Sequence, residues 1–245
     1  MKLFYLDLET TGVRYWKNGI HQISGAIEID GEIKETFNYN VRPFHKALIE
    51  DEALAIAGIT RDDLEDYADF KDVYDDIILR LSRYVDKYNR KDKFYIVGFN
   101  SAGFDNPFFR AFFVQNGDEY FGSWFWSVPI DVIVLAAQYL KDRRVEMKDF
   151  KLKTVAAFLG IQVDESRLHD AIYDIELTRE IYKIVSVNPW NALEKMGSPD
   201  KWLKVYSHYS ELLTADDTAN FWHDQFVIAD KERNEMKFRL EGLEK

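Results

Sequence analysis

The chain contains no cysteine. That excludes a disulfide framework, a thiolate zinc site, an iron–sulfur cluster and a cysteine nucleophile. No stretch approaches about 18 apolar residues, the length a membrane helix needs. The opening MKLFYLDLETTG is apolar only briefly before charge interrupts it, so it is read neither as a signal peptide nor as a membrane span. A soluble, cytoplasmic protein with no membrane partner is the expectation. There is no internal repeat and no low-complexity tract. Positive charge is also scarce: 32 Lys+Arg stand against 43 Asp+Glu, a net charge of −11. As a bulk figure this argues against a phosphate-rich partner.

The bulk figure misleads, because the charge is concentrated. Residues 50–76 hold eleven acids and two bases, a local −9, and the rest of the chain sums to −2. The acidic segment reads as a solvated helical face, or as a surface that repels the wrong nucleic-acid path or docks a basic partner. Two stretches are basic: 80–93 at +4, read mostly as the polar face and exit of a helix, and Lys141–Lys153 at +3, a candidate guide for a phosphate backbone.

With 245 residues the chain is long enough to bury a core without metal or disulfide staples. Residues 2–8, 20–29 and 33–41 read as strands, the last two joined by the hairpin signal Asp30-Gly31. Residues 50–57 and 69–89 read as helices. In the second, Val73, Ile77, Leu81 and Val85 recur every four residues. A central strand is expected at 94–99. Helices follow at 105–115, 131–140, 151–159 (stopped by Gly160) and 170–186. Strands first, then helices alternating with a strand, predict an α/β architecture: a mixed sheet flanked by helices. The expected division is a domain over 1–187 and a C-terminal extension over 188–245. In the extension, Ser198-Pro199-Asp200 opens a helix, 226–240 is a candidate hairpin, and Trp190, Trp202 and Trp222 are candidate packing or docking rings.

Three clusters carry candidate chemistry. Asp7 and Glu9, two apart at a strand end, point to one side of a sheet. Two such carboxylates repel unless a cation lies between them; singly, the pair is also a solvated strand end. Asp105 follows a strand and a loop of small residues, where it is also a simple helix cap. His169 precedes the last helix and Asp174 lies in its first turn or so, where a surface histidine and a dipole-compensating acid are the plain alternatives.

Together, and in this order, the clusters resemble the DEDD superfamily of 3′–5′ exonucleases on the ribonuclease H-like fold. The opening motif stands here as DLETTG, the middle one as GFNSAGFDNPF and the closing H-x-A-x-x-D as HDAIYD. The closing motif marks the DEDDh branch, typified by the epsilon proofreading subunit of bacterial replicative DNA polymerase. Gly58-Ile59-Thr60 before an acidic helix and Asp131 opening an Asp-x-x-x-Leu-Ala helix are similar to further family features. Asn100-Ser101 replaces the common His-Asn pair, and Ala57 stands where many relatives have His. The resemblance covers about residues 1–187.

The resemblance implies a metal-dependent enzyme that hydrolyses phosphodiester bonds at nucleic-acid 3′ ends and releases 5′-nucleoside monophosphates. Asp7, Glu9, Asp105 and Asp174 would hold two divalent ions, Mg²⁺ or Mn²⁺, with Asp7 bridging. His169 would act as general base. Thr10, Thr11, Gly12 and Phe104 are the implied substrate contacts. The implied partner is a free 3′ end, of DNA more than RNA, with a DNA polymerase or another replication or repair protein as a further candidate. Two alternatives stay open at this point: a non-catalytic nucleic-acid-binding or polymerase-accessory module on the same fold, and a phosphohydrolase acting on free nucleotides.

Overall fold

A computed structural model of the chain describes residues 1–167 and 170–186. The expected helix and hairpin of the 188–245 extension, and its tryptophans, lie outside the described residues. Five strands form one sheet in the order β3-β2-β1-β4-β5. They are β1 (Lys2–Thr10), β2 (Ile20–Ile29), β3 (Glu32–Asn40), β4 (Tyr95–Gly98) and β5 (Ile130–Asp131). β1 pairs antiparallel with β2 and parallel with β4, so the sheet is mixed, as the element order predicts. The β2–β3 turn places Asp30 at φ 51° and Gly31 at φ 90°, the left-handed pair that suits a two-residue hairpin.

β1 is buried on both faces because its side chains alternate between two cores. Phe4, Leu6 and Leu8 enter an aromatic-rich core with Phe37, Phe94, Phe109, Phe112, Phe113, Phe121 and Phe125. Leu3 and Tyr5 enter the opposite core with Val97, Val132, Val155, Tyr173, Ile181 and Tyr182. The helices divide accordingly. α3 (Phe70–Ser82), α4 (Asp105–Gln115) and the short α5 (Phe121–Trp124) bury residues in the first core. α6 (Val132–Tyr139), α7 (Leu152–Phe158) and α8 (Ala171–Val185) bury theirs in the second. Asp7 and Glu9 share the parity of Leu3 and Tyr5, and therefore the α8 side of the sheet.

Two short acidic helices precede α3: α1 (Asp51–Ala57) and α2 (Arg61–Glu65). α2 opens on a reciprocal capping box between Thr60 and Asp63. α3 ends at Ser82, not at 89. Beyond it Asp86 accepts from Tyr88 N–H, Asn89 from Lys91 N–H, and Asp92 from Asp86 N–H, so local side-chain bonds replace helical ones. β5 and α5 are too short to leave a periodic signal, and sequence reasoning does not find them.

α8 is registered on the sheet by a largely buried ion pair. Arg179 Nε lies 2.5 Å from Glu28 on β2, and its Nη2 donates to Gly31 O at 2.9 Å. Replacing Arg179 by Met strands the buried Glu28 carboxylate. Loss on the order of 3 kcal/mol of unfolding free energy is expected in urea denaturation. An unchanged midpoint would show that the pair does not hold α8.

Candidate active site

The acidic cluster is built at the carboxyl end of β1. A bulge there matters: Glu9 pairs with Gln22, but Thr10 pairs with Ile20, so His21 is the extra residue. Bulges bend a strand and re-aim its side chains. His21 is buried, its Nε2 has no partner, and burial pushes its pKa down to about 4, which keeps the ring neutral.

Asp105 arrives from the other side of the sheet. It is the first residue of α4, and one of its carboxylate oxygens accepts the Leu8 N–H at 3.1 Å, between Asp7 and Glu9. Burial pushes the Asp105 pKa up to about 7; bonds from the Leu8 and Asp105 N–H groups oppose the rise, and Glu9 and Asp131 add to it. Asp7 is raised well above the usual carboxylate range, first by burial and then by repulsion from Asp105, Glu9 and Asp174. Asp174 sits in the first turn of α8, whose N-cap Asp170 accepts from Ile172 and Tyr173 N–H. Thus four carboxylates from β1, α4 and α8 feel one another's charge. Among the described residues no three Asp, Glu, His or Cys side chains form a closed metal cage; the four acids are linked by charge and not by a finished coordination ring. His169 lies outside the described residues.

Asp131 supports Asp105 in a way the sequence does not reveal. It caps α6 through Ile133 N–H at 3.2 Å, and it also accepts Asn100 N–H at 2.8 Å and Ala102 N–H at 2.9 Å. It thereby clamps the loop between β4 and α4. Asn100 in that loop is left-handed, φ 62°, a conformation asparagine tolerates better than most residues. From sequence Asp131 shows as a helix start and a family-like motif but not as a loop clamp, because two of its three donors come from about thirty residues away in the chain.

The loop after β1 is equally tied down. Thr11 is wholly buried; its hydroxyl donates to Leu48 O at 2.8 Å and accepts Gly19 N–H at 2.9 Å. The Thr10 hydroxyl donates to Gly12 O at 2.7 Å. Both hydroxyls expected at the substrate are therefore engaged inside the loop. Gly12 is required by close approach: a Cβ there would stand 2.3 Å from Asn18 Nδ2. Asn18, itself buried, bonds Leu48 O, Glu50 and Arg14 N–H. Phe104, the residue before α4, is half-buried, with its ring 5.1 Å from that of Phe108.

The basic stretches are partly consumed by local partners. Arg80 and Arg83 both pair with Glu35. Arg143 pairs with Glu146 and lies over the Phe158 ring, and Arg144 lies over Phe150. Lys141, Lys148 and Lys151 remain exposed.

A 3-2-1-4-5 mixed sheet between helical layers is the ribonuclease H-like class of fold. Within that class the sequence matches the family described as Exonuclease, of RNase T type, over residues 4–182, and the chain belongs to it: the DEDDh 3′–5′ exonucleases. Divalent-metal dependence is general in that family. The chain is 24% identical over 208 residues to the PolC-type DNA polymerase III of Mycoplasmopsis pulmonis (strain UAB CTIP), covering 82% of this chain and 13% of the polymerase. Its fold is similar to part of E. coli exonuclease I solved with a dT13 oligonucleotide, at a TM-score of 0.61 and 18% identity over 79% of this chain and 43% of that one. Exonuclease I in its apo form gives a TM-score of 0.60 at 19% identity, covering 83% and 46%. The chain therefore spans less than half of each of these relatives. No helix among the described residues is long and apolar enough to cross a membrane.

The raised carboxyls set a sign. Asp7 and Asp105 hold protons in the fold at pH values where the unfolded chain has released them, so stability falls as pH rises between roughly 4 and 7. In EDTA, the melting temperature is expected to drop by several degrees from pH 5 to pH 8, and by less in Asp7→Asn. Equal slopes would show that Asp7 carries no such cost. Separately, Asp131→Asn turns an acceptor into a donor against one of the loop N–H groups. It is expected to raise the Mn²⁺ concentration giving half-maximal thermal stabilisation by about tenfold, while an unchanged value would remove Asp131 from the support of Asp105.

Proposed function

We propose that this chain is a 3′–5′ exonuclease that removes 5′-nucleoside monophosphates from nucleic-acid 3′ ends, acting on DNA in preference to RNA. The observation that carries the reading is the electrostatic convergence of Asp7, Glu9, Asp105 and Asp174 in a chain that belongs to the exonuclease family. The donor set fits hard divalent cations: four carboxylates, no sulfur, and a cost of like charge that a cation relieves. Asp7, Glu9, Asp105 and Asp174 would hold two such ions, Mg²⁺ or Mn²⁺. The ions would supply the Lewis acidity that lowers the pKa of water and steadies charge on phosphate and leaving oxygen.

The chain's own groups do the rest. His169 accepts the proton of the attacking water on an imidazole nitrogen, a role that imidazole, with an unperturbed pKa of about 6.5, suits near neutral pH. The water oxygen bonds to phosphorus, the bond to the 3′ oxygen breaks, and that oxygen stays on the shortened strand and takes a proton from solvent to become its new 3′ hydroxyl. The β1 bulge and the Leu8 N–H bond orient Glu9 and Asp105 before substrate arrives. The preference for DNA is supported by the relatives, a DNA polymerase and an exonuclease solved with oligo-dT. Residues 188–245 then form a C-terminal extension to a catalytic domain over 1–187, and a polymerase or repair protein is its proposed partner.

The test is a digest of 5′-labelled single-stranded DNA, duplex DNA and RNA by the full chain with Mg²⁺ or Mn²⁺. Mononucleotide release that stops in EDTA is expected, fastest on DNA. His169→Ala and Asp7→Asn should each lower the rate by about a hundredfold or more. A wild type as inert as the two variants would leave the non-catalytic binding module as the better account.

A further inference from the structure

The loop joining β1 to β2 is hydrogen-bonded within and presents two aromatic rings to solvent. Asn18, 1% exposed, ties its two ends together. Lys17 and Asn18 N–H both close on Arg14 O. Arg14 pairs with Glu50 at 2.5 Å. On this fixed frame Val13, Tyr15 and Trp16 stand in solvent at 72%, 43% and 62% exposure. Their rings are ordered against one another. Trp16 meets Tyr15 edge-on, centroids 5.0 Å apart at 88°, and Tyr15 meets Phe108 edge-on at 6.4 Å. Phe108 in turn lies 5.1 Å from Phe104, the neighbour of Asp105. A run of four rings thus leads from the exposed indole to the edge of the acidic cluster. Clustered exposed aromatic side chains are a mark of interaction surfaces.

We propose that Tyr15 and Trp16 form a stacking platform for unpaired nucleobases adjoining the 3′ nucleotide at the acidic site; this rests on the nuclease reading above. The occupant follows from position and chemistry. The platform is continuous with the strand that carries Asp7 and Glu9. Base–aromatic stacking is tolerant of sequence, as a degradative site requires. The exposed Lys17 lies within the same loop, where a backbone phosphate of a stacked strand is a fitting partner. The loop's internal bonds mean that little ordering remains to be done on binding. A base inside a duplex already has both faces covered and must be unstacked to use such a platform. The platform therefore selects single-stranded 3′ ends over paired ones.

Full-length wild type, Trp16→Ala, Trp16→Phe and Tyr15→Ala are compared on fluorescein-labelled dT12, with Ca²⁺ for binding by anisotropy and with Mn²⁺ for hydrolysis. Trp16→Ala is expected to weaken binding and raise KM about tenfold, with kcat within twofold and melting temperature unchanged, and Trp16→Phe to recover most of the loss. On a dT12 carrying abasic sites at its last three nucleotides, wild type and Trp16→Ala should bind alike. The wild-type preference for single-stranded over blunt duplex ends should shrink in Trp16→Ala. Unchanged dT12 binding in Trp16→Ala would overturn the platform and leave the rings to a protein partner. An equal penalty on the abasic strand would overturn it as well. A wild type that binds dT12 through Trp16 but hydrolyses nothing would sink the exonuclease reading while leaving the platform standing.

Discussion

Repulsion among four carboxylates is the constraint on which the rest of this structure depends. Left to themselves Asp7, Glu9, Asp105 and Asp174 would separate, and burial makes their charge more costly still. The fold holds them near one another by fixing each from behind. Asp7 and Glu9 are set by a strand with two buried faces. Asp105 is held by the Leu8 N–H, with Asp131 clamping the loop that delivers it. The helix bearing Asp174 is keyed to the sheet by Arg179 and Glu28. None of these supports is itself a site residue. Each spends packing or hydrogen bonding to keep like charges close, the usual relation between a stable scaffold and a strained site.

Much of this was legible in the sequence, for identifiable reasons. β1, β2 and β3 are visible because a short apolar run and the Asp30-Gly31 turn between β2 and β3 are local signals. α4, α6, α7 and α8 fall within a residue or so of expectation because each has a cap, a proline or a stop glycine close by. The acids were legible as motifs. Their convergence was not derivable from spacing, since Asp7 and Asp174 are joined only through the packing of α8 on the sheet. The supports were the least legible. Asp131 resembles any N-cap until its loop donors are seen, Asn18 is one more polar residue in a loop, and Arg179 is one base among several on α8. What tertiary structure adds is the identity of the distant partner, and no periodicity encodes that.

The charge distribution also changes meaning once placed. The acidic segment 50–76 is the neighbourhood of α1, α2 and α3, where Asp51 pairs with Arg61, Asp76 with Arg80 and Asp63 closes a helix cap. Some of its acids are therefore structural, and Glu50 belongs to the frame of the β1–β2 loop. The bulk −11 describes that segment more than the face on which Asp7, Glu9, Asp105 and Asp174 gather.

The pairing of β1 has a consequence for how the site comes into being. On one side β1 meets β2 through a short connection, and β2 meets β3 through a two-residue turn; on the other, Leu3 waits for Tyr95. Contacts distant in sequence carry the larger loop-closure cost and set the pace of folding. The three-stranded ribbon is the economical nucleus, and it contains Asp7 and Glu9 alone. Asp105 joins when β4 docks, and Asp174 only when the last described helix closes over the sheet. During synthesis the same order is imposed by the ribosome, N-terminus first. The charge is gathered last onto a frame already made, so an incomplete chain carries the Asp7–Glu9 pair but not the four-acid cluster.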